Sequence, residues 1–444
     1  MTIARLPSDR NLESWFSQFS LRSHCVWLDG AVGTHGSECS ILSCDPVEQR
    51  SGPQDDLLGW LDEWESRLGG EVEGIVPFTG GLIGQLDYPE DMPAYPAVAK
   101  PMLSGWLGLY DRALVEDRKS GCIYAVVGDW LKDSEAELKR WMEKLLSWEI
   151  PNGSIGGEDN TTRSSRPLSD MSRREYVDAV ERLRDWIAAG DIYQANLSQR
   201  FHCEWPESAE SLYRSLRREN PAPYSAYLDI GDRQILSSSP ELFLSVDASR
   251  QVLTQPIKGT RPRSVDPEKD RDLARDLRNN AKERAELLMI VDMERSDLGR
   301  VCKPGSVVAD LAFRLESFAS VHHLVGDVKG ELRPEISLSD LLVACFPGGS
   351  ITGAPKVRAM EIIREVEPSI RRAFCGSVGY LSAAGVSCWN IAIRTMEMSG
   401  LDIEFGVGAG IVWDSDPEAE YRETLQKARK IFASLGWYEE NEGQ

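Results

Sequence analysis

Positive charge is in short supply. The 444 residues carry 50 lysines and arginines against 71 aspartates and glutamates, a net charge of −21. Phosphate backbones and anionic membranes are recognised by a basic footprint, so nucleic-acid and membrane-surface binding are disfavoured. Long apolar runs are missing too. A segment such as 341–346 (LLVACF) has the length of a buried element, well short of the ~18 residues of a membrane helix. The nine cysteines are odd in number and never spaced Cys-x-x-Cys, which argues against a disulfide framework and a thiolate zinc site. The five histidines lack metal-ligand spacing. Neither a Gly-x-Ser-x-Gly nor a reactive-cysteine signature occurs, so hydrolase chemistry has no support. Residues 1–10 are polar and lack the apolar core of a secretory signal. The expected setting is the cytoplasm, with reduced thiols.

What is present is the composition of a soluble globular protein, 41% hydrophobic and 27% charged, long enough for two or three domains. Residues 151–168 contain only Ile155 and Leu168 as large apolar side chains. They read as a linker or long loop between a segment 1–150 and a segment 169–444. In the first segment, 55–68 and 134–148 have helical spacing, 76–86 is Gly-rich and extended, and 121–130 has strand composition. In the second, Ser172 and Glu175 form a capping box ahead of Tyr176, Val180, Leu183 and Ile187, and Gly190 stops that helix. Short strands are expected at 225–228, 234–238, 242–246 and 252–256, then one helical stretch over 267–298. Further strands are expected near 373–381, 386–398 and 402–412, with a last helix from Asp416. Without regular βα alternation this pattern indicates an α+β fold with largely antiparallel sheets.

Two helices each carry a pair of glutamates. Glu283 and Glu286 lie one turn apart, leading into the apolar run 287–291. In the last helix Asp416 is the cap, Pro417 the first residue, and Glu420, Glu423 and Lys427 share one sector. Such pairs also occur on ordinary solvated faces. If these two faces meet, four carboxylates repel unless protonation or a hard divalent cation relieves them, and Mg2+ suits an all-oxygen site. The stretch 347–357 (PGGSITGAPKV) is Gly-rich but lacks the lysine and hydroxyl of a nucleotide loop; its backbone N–H groups, entering a helix from Ala354, suit a carboxylate. Gly406, Gly408 and Gly410 likewise fall short of a dinucleotide fingerprint. His322 and His323 are adjacent, so on a strand they face opposite sides.

The runs DIYQANLSQRF (191–201), SSPELF (238–243), PIKGTRPR (256–263), ERAELLMIVDMERSDLGR (283–300), VHHLVG (321–326), 346–363, NIAIRT (390–395) and 406–424 together resemble the chorismate-using enzymes. Residues 41–46 and 78–88 resemble that family weakly. The resemblance implies one two-lobed α+β unit, built on a pair of antiparallel sheets with outer helices and the active site in the cleft, with 151–168 a loop inside it. It implies Mg2+ held by Glu286 and Glu423, with Glu283 and Glu420 as water-linked partners. It implies substrate carboxylates held by Arg394, Lys427 and the backbone around Gly259, Thr260, Gly353 and Gly410. Glu241 would be the general acid at the departing C4 hydroxyl, and His323 matches the family's active-site histidine.

Two positions separate the branches of the family. Water-adding members carry a lysine where this chain has Gln194, and glutamine cannot act as a general base. Anthranilate synthases usually have alanine where this chain has Lys258, whereas lysine marks aminodeoxychorismate synthases, in which its amine attacks C2 of chorismate. Arg261 and Arg263 are expected to favour the neutral amine if they point toward it. Residues 41–46 (ILSCDP) depart from the Leu-Leu-Glu-Ser motif that helps bind feedback tryptophan. No cysteine sits in a glutaminase context, so a separate glutamine amidotransferase subunit is expected to supply ammonia. The implied product, 4-amino-4-deoxychorismate, leads to 4-aminobenzoate and folate; the alternative is an anthranilate synthase large subunit.

Overall fold

Ser172 caps a helix as its sequence requires. Its side chain accepts from the Glu175 N–H, and the Glu175 carboxylate accepts from the Ser172 N–H at 2.7 Å. Helix Arg173–Ala189 then ends at Gly190, whose φ of 84° suits a residue without Cβ. In this computed structural model residues 2–7, 10–30, 39–52, 56–68, 76–89, 103–128, 130–148, 162–318 and 321–438 are described. Residues 151–161 of the expected loop, and the acidic tail 439–444, lie outside them.

Among the described residues, strands form two sheets of 12 and 10 strands, and neighbouring strands run antiparallel. Strands from both sequence segments enter both sheets: Val26–Asp29 pairs with Tyr224–Asp229 in the larger, and Gly81–Leu86 with Ser377–Ser382 in the smaller. Period-two alternation sets the layers. Val26, Ile41, Val126 and Ala226 face the other sheet and meet Ile83, Trp106, Val378 and Tyr380. Their neighbours Trp27, Leu42, Val127 and Tyr227 turn outward, against helices Leu12–Phe19, Ser134–Ser147, Ala209–Glu219 and Pro417–Ser434. The outer face of the smaller sheet is covered by Leu57–Leu68, Ala281–Gly299 and Leu338–Cys345. The architecture is α+β, helices outside two packed antiparallel sheets. Among the described residues no helix is long and apolar enough to cross a membrane.

Three expectations need correction. The helical stretch 267–298 is two helices, Pro267–Asn279 and Ala281–Gly299. Asn280, with extended ψ of 114°, ends the first and caps the second by accepting from Glu283 N at 3.1 Å. The single strand expected over 386–398 is two, Ser387–Asn390 in the smaller sheet and Thr395–Ser399 in the larger. The helix after the Gly-rich stretch starts at Lys356, two residues later than expected, because Pro355 takes the cap position. The second correction matters for the site. The chain passes from the larger to the smaller sheet between Ser239 and Leu242, and back between Asn390 and Thr395. Glu241 and Arg394 sit in these crossings, which are tied by Ile391 N–H donating to the Glu241 carbonyl at 3.1 Å.

Candidate active site

The strand that carries Lys258 lies beside the strand that carries His323 and is interrupted by a bulge. Strand Ile257–Pro262 pairs with Val321–Glu331 with a register shift between Lys258 and Thr260. Gly259 is the reason: its φ is 77°, and a Cβ there would stand 2.7 Å from Leu277 Cδ1 and 3.0 Å from Glu283 Oε2. On one side of the bulge Lys258 Nζ donates to the Ser350 carbonyl at 3.4 Å. On the other, Thr260 Oγ1 lies 3.0 Å from His323 Nδ1.

Glycines clear the opposite wall. Gln194 and Ala195 begin a strand that pairs with Ala354 and Gly353 on one side, while Asn196 pairs with Gly410 on the other. A Cβ on Gly353 would sit 2.2 Å from the Gln194 carbonyl; one on Gly410 would sit 2.7 Å from Gln194 Nε2 and 3.4 Å from Lys258 Nζ. Gln194 is buried and its Oε1 has no partner among the described residues. A buried acceptor without a donor is costly unless a ligand supplies one.

The charges converge on Lys258. Burial lowers its pKa, Lys427 lowers it further, and Glu286, Glu241 and Glu423 oppose. Arg261 and Arg263 do not take part as expected. Arg261 bonds Asp276 at 2.8 Å and Glu283 at 3.2 Å, and Arg263 holds Asp270 and the Phe318 carbonyl; acidic side chains nearer to them claim both guanidinium groups. Glu241 is buried, and burial raises its pKa against Ser350, Lys258, the Ile257 N–H (3.3 Å) and Arg394. Burial lowers Arg394, with Glu241 opposing. Burial and Arg394 push the His323 imidazole down to about 3, so it is neutral at physiological pH. Its Nε2 is buried without a partner among the described residues.

The two glutamate helices do meet electrostatically. Burial raises Glu286, and Glu283 and Glu423 raise it further while Lys258 and Lys282 oppose. Burial raises Glu420, aided by Glu423. For Glu423 burial acts upward, but Lys427, 2.8 Å away, together with Lys258 and Lys282 leaves it lowered. Lys427 also donates to the Gly408 carbonyl at 2.9 Å. As they stand the carboxylates pair with Arg261, Lys282, Ser415 and Lys427, and no described group of three carboxylate, histidine or cysteine side chains is arranged to hold a metal ion. The donor set is nonetheless all oxygen, with mutual repulsion that a hard cation would relieve, so its chemistry fits Mg2+.

Sequence reasoning missed Lys282, Asn196 and Ser350. Lys282 was detectable, four residues before Glu286 and one turn away. Ser350 meets Lys258 through its backbone carbonyl, which also accepts from Asn196 Nδ2 at 3.4 Å, and no residue type signals that contact.

Residues 39–433 match the sequence signature of the chorismate binding enzymes. The aminodeoxychorismate synthase component 1 of Escherichia coli (strain K12) is 40% identical over an alignment of 446 positions that covers 94% of this chain and 95% of the relative. The anthranilate synthase component 1 of Aquifex aeolicus (strain VF5) is 44% identical over 386 residues, 83% of this chain and 77% of the relative. The crystal structure of anthranilate synthase component I from Streptococcus pneumoniae TIGR4 superposes with a TM-score of 0.76 at 32% identity, covering 90% of this chain and 94% of that one.

Proposed function

The chain belongs to the chorismate binding enzyme family, and from that premise we propose that it is an aminodeoxychorismate synthase subunit, converting chorismate and ammonia to 4-amino-4-deoxychorismate. Overall identity does not decide between the branches, since an anthranilate synthase matches at 44% and an aminodeoxychorismate synthase at 40%. The observation that carries the reading is the amine of Lys258, which feels the charge of Glu241 and is shifted toward its neutral form by burial and by Lys427. A neutral amine is a nucleophile; the alanine expected of anthranilate synthases offers none.

The roles in this reading are these. The Lys258 amine attacks C2 of chorismate as the ring double bond shifts and the C4–O bond breaks. Glu241, shifted by burial toward its protonated form, gives its proton to the leaving hydroxyl, which departs as water. Ammonia then adds at C4, the double bond returns and Lys258 is expelled as its amine. Arg394 and Lys427 hold substrate carboxylates. His323, neutral, offers Nε2 to the ring substituents without adding charge. Glu286 and Glu423, with Glu283 and Glu420 behind them, would hold Mg2+. Bound there, the ion supplies the positive charge that an acidic protein needs to accept a dianion. The ammonia comes from a separate glutamine amidotransferase, and a lyase downstream removes pyruvate to give 4-aminobenzoate.

The second reading, an anthranilate synthase large subunit, has the Aquifex aeolicus similarity in its favour. Purified protein with chorismate, Mg2+ and ammonium separates the two. Accumulation of 4-amino-4-deoxychorismate supports the first reading; fluorescent anthranilate formed without any lyase overturns it.

A further inference from the structure

Behind the Gly-rich stretch lies a buried arginine that no catalytic role uses. Arg371 and Glu367 have side chains only 3% and 5% exposed and are joined twice, Nη2 to Oε1 at 2.7 Å and Nε to Oε2 at 2.8 Å. Glu367 is anchored in turn by the Ser198 N–H and hydroxyl, at 2.8 and 2.7 Å. The guanidinium lies against the Tyr88 ring, 4.7 Å from its centre. Two of its three remaining donors go to backbone carbonyls, Nη1 to Ile351 at 2.8 Å and Nη2 to Asn196 at 2.7 Å. Ile351 follows Ser350, whose carbonyl meets the Lys258 amine and also accepts from the side chain of Asn196.

We propose that Arg371 is a positioning residue for the reaction: its fork, fixed by Glu367, locks the Ser350–Ile351 turn and the Asn196 backbone so that the Ser350 carbonyl orients the Lys258 amine. The proposal rests on the reading of Lys258 as the nucleophile. A bidentate arginine suits this role because its five donors are rigid and planar, whereas lysine presents a point charge on a flexible stem. The Ser350 carbonyl takes one amine hydrogen and so restricts where the nitrogen lone pair points. Slackening the turn leaves the substrate-holding groups Arg394 and Lys427 in place but lets the amine wander and admits water beside it. Misplacement of a reacting atom costs rate rather than binding.

The test uses Arg371→Lys and Glu367→Gln in the full chain. Two measurements are made on each: kcat and chorismate KM with saturating ammonium, and the pH dependence of acetylation of Lys258, followed on its own peptide. The expected result is a fall in kcat of about 10- to 100-fold, chorismate KM within about twofold of wild type, and a labelling midpoint moved upward toward that of an ordinary lysine. Folded variants with wild-type kcat and midpoint overturn the proposal. So does a joint loss of kcat and binding with an unchanged midpoint, which marks a merely structural role. If neither buried variant melts cooperatively, Asn196→Ala, which releases the same carbonyl without stranding a charge, decides by the same two readouts. Should the wild-type protein make no 4-amino-4-deoxychorismate, the functional reading fails separately, and the labelling midpoint still reports on Arg371.

Discussion

The hydroxyl of Thr260 lies 3.0 Å from Nδ1 of His323, across the strand pair that also carries Lys258. That contact fixes the imidazole while burial and Arg394 keep it uncharged, with a pKa of about 3. An unfolded histidine titrates near 6.5, so between about pH 6.5 and 3 the unfolded chain binds a proton that the folded one refuses. Stability therefore falls as pH drops through this window, by at most about 5 kcal/mol for one such group. His323→Gln should flatten the loss of melting temperature between pH 7 and pH 4. Parallel acid-melting curves in the two proteins would show that His323 protonates freely. The same depression predicts that no limb of the rate profile between pH 5 and 9 belongs to His323.

The paired glutamates make the opposite prediction. Glu286 is raised by burial and by the carboxylates of Glu283 and Glu423. A raised carboxyl favours the fold below its unfolded pKa, and that contribution is lost as pH rises through the folded value. Metal-free Glu286→Gln should thus melt at or above the wild-type temperature at pH 8 and no higher at pH 4. Added Mg2+ should raise the wild-type melting temperature and leave the variant nearly unmoved. Turnover at limiting Mg2+ should fall by about two orders of magnitude in Glu286→Gln and in Glu423→Gln. Normal turnover in either variant under those conditions would remove the metal assignment.

Gly259 is required by backbone and space together. Gly259→Ala places a Cβ 2.7 Å from Leu277 at a φ of 77°, which should cost about 1–3 kcal/mol in denaturant unfolding. Relief of that strain would move the bulge and with it Lys258, so activity should fall more than chorismate binding. A stable, fully active variant would show that the bulge is dispensable.

How much of this was legible depends on how local each signal is. The helix Arg173–Ala189 announces itself through Ser172, Glu175 and Gly190, all within one short window. Lys258, Glu286 and Glu423 are singled out by the runs that resemble the chorismate-using enzymes, and their roles belong to the proposal. Asn280 is not: with no glycine or proline beside it, an uninterrupted helical pattern conceals a cap that only the turn between two helices reveals. Arg394 lies in what reads as one strand, yet its φ of 52° belongs to a crossing between sheets. Arg261 and Arg263 follow Lys258 closely in sequence, but they lie beyond the bulge at Gly259, and Asp276, Glu283 and Asp270 take both guanidinium groups. Direction of a side chain and identity of its partner are tertiary facts.

Lys258 carries the sharpest prediction. To attack carbon its amine must be neutral, and a free lysine with a pKa near 10.4 is almost fully protonated at neutral pH. Burial and Lys427 shift the balance toward the neutral form, with Glu286, Glu241 and Glu423 limiting the shift. Mg2+ held by the glutamates would weaken that opposition, so the acid limb of the rate profile should lie below the ordinary lysine range and move lower as Mg2+ is raised. Lys258→Ala should lose most formation of 4-amino-4-deoxychorismate with saturating ammonium while still binding chorismate. Lys258→Arg should fare no better, because a guanidinium keeps the charge but cannot add to carbon. The measurement is product formation in both variants beside chorismate affinity by calorimetry. Substantial activity in the arginine variant, with the alanine variant dead, would mean that Lys258 supplies only charge, and the covalent step would have to be abandoned.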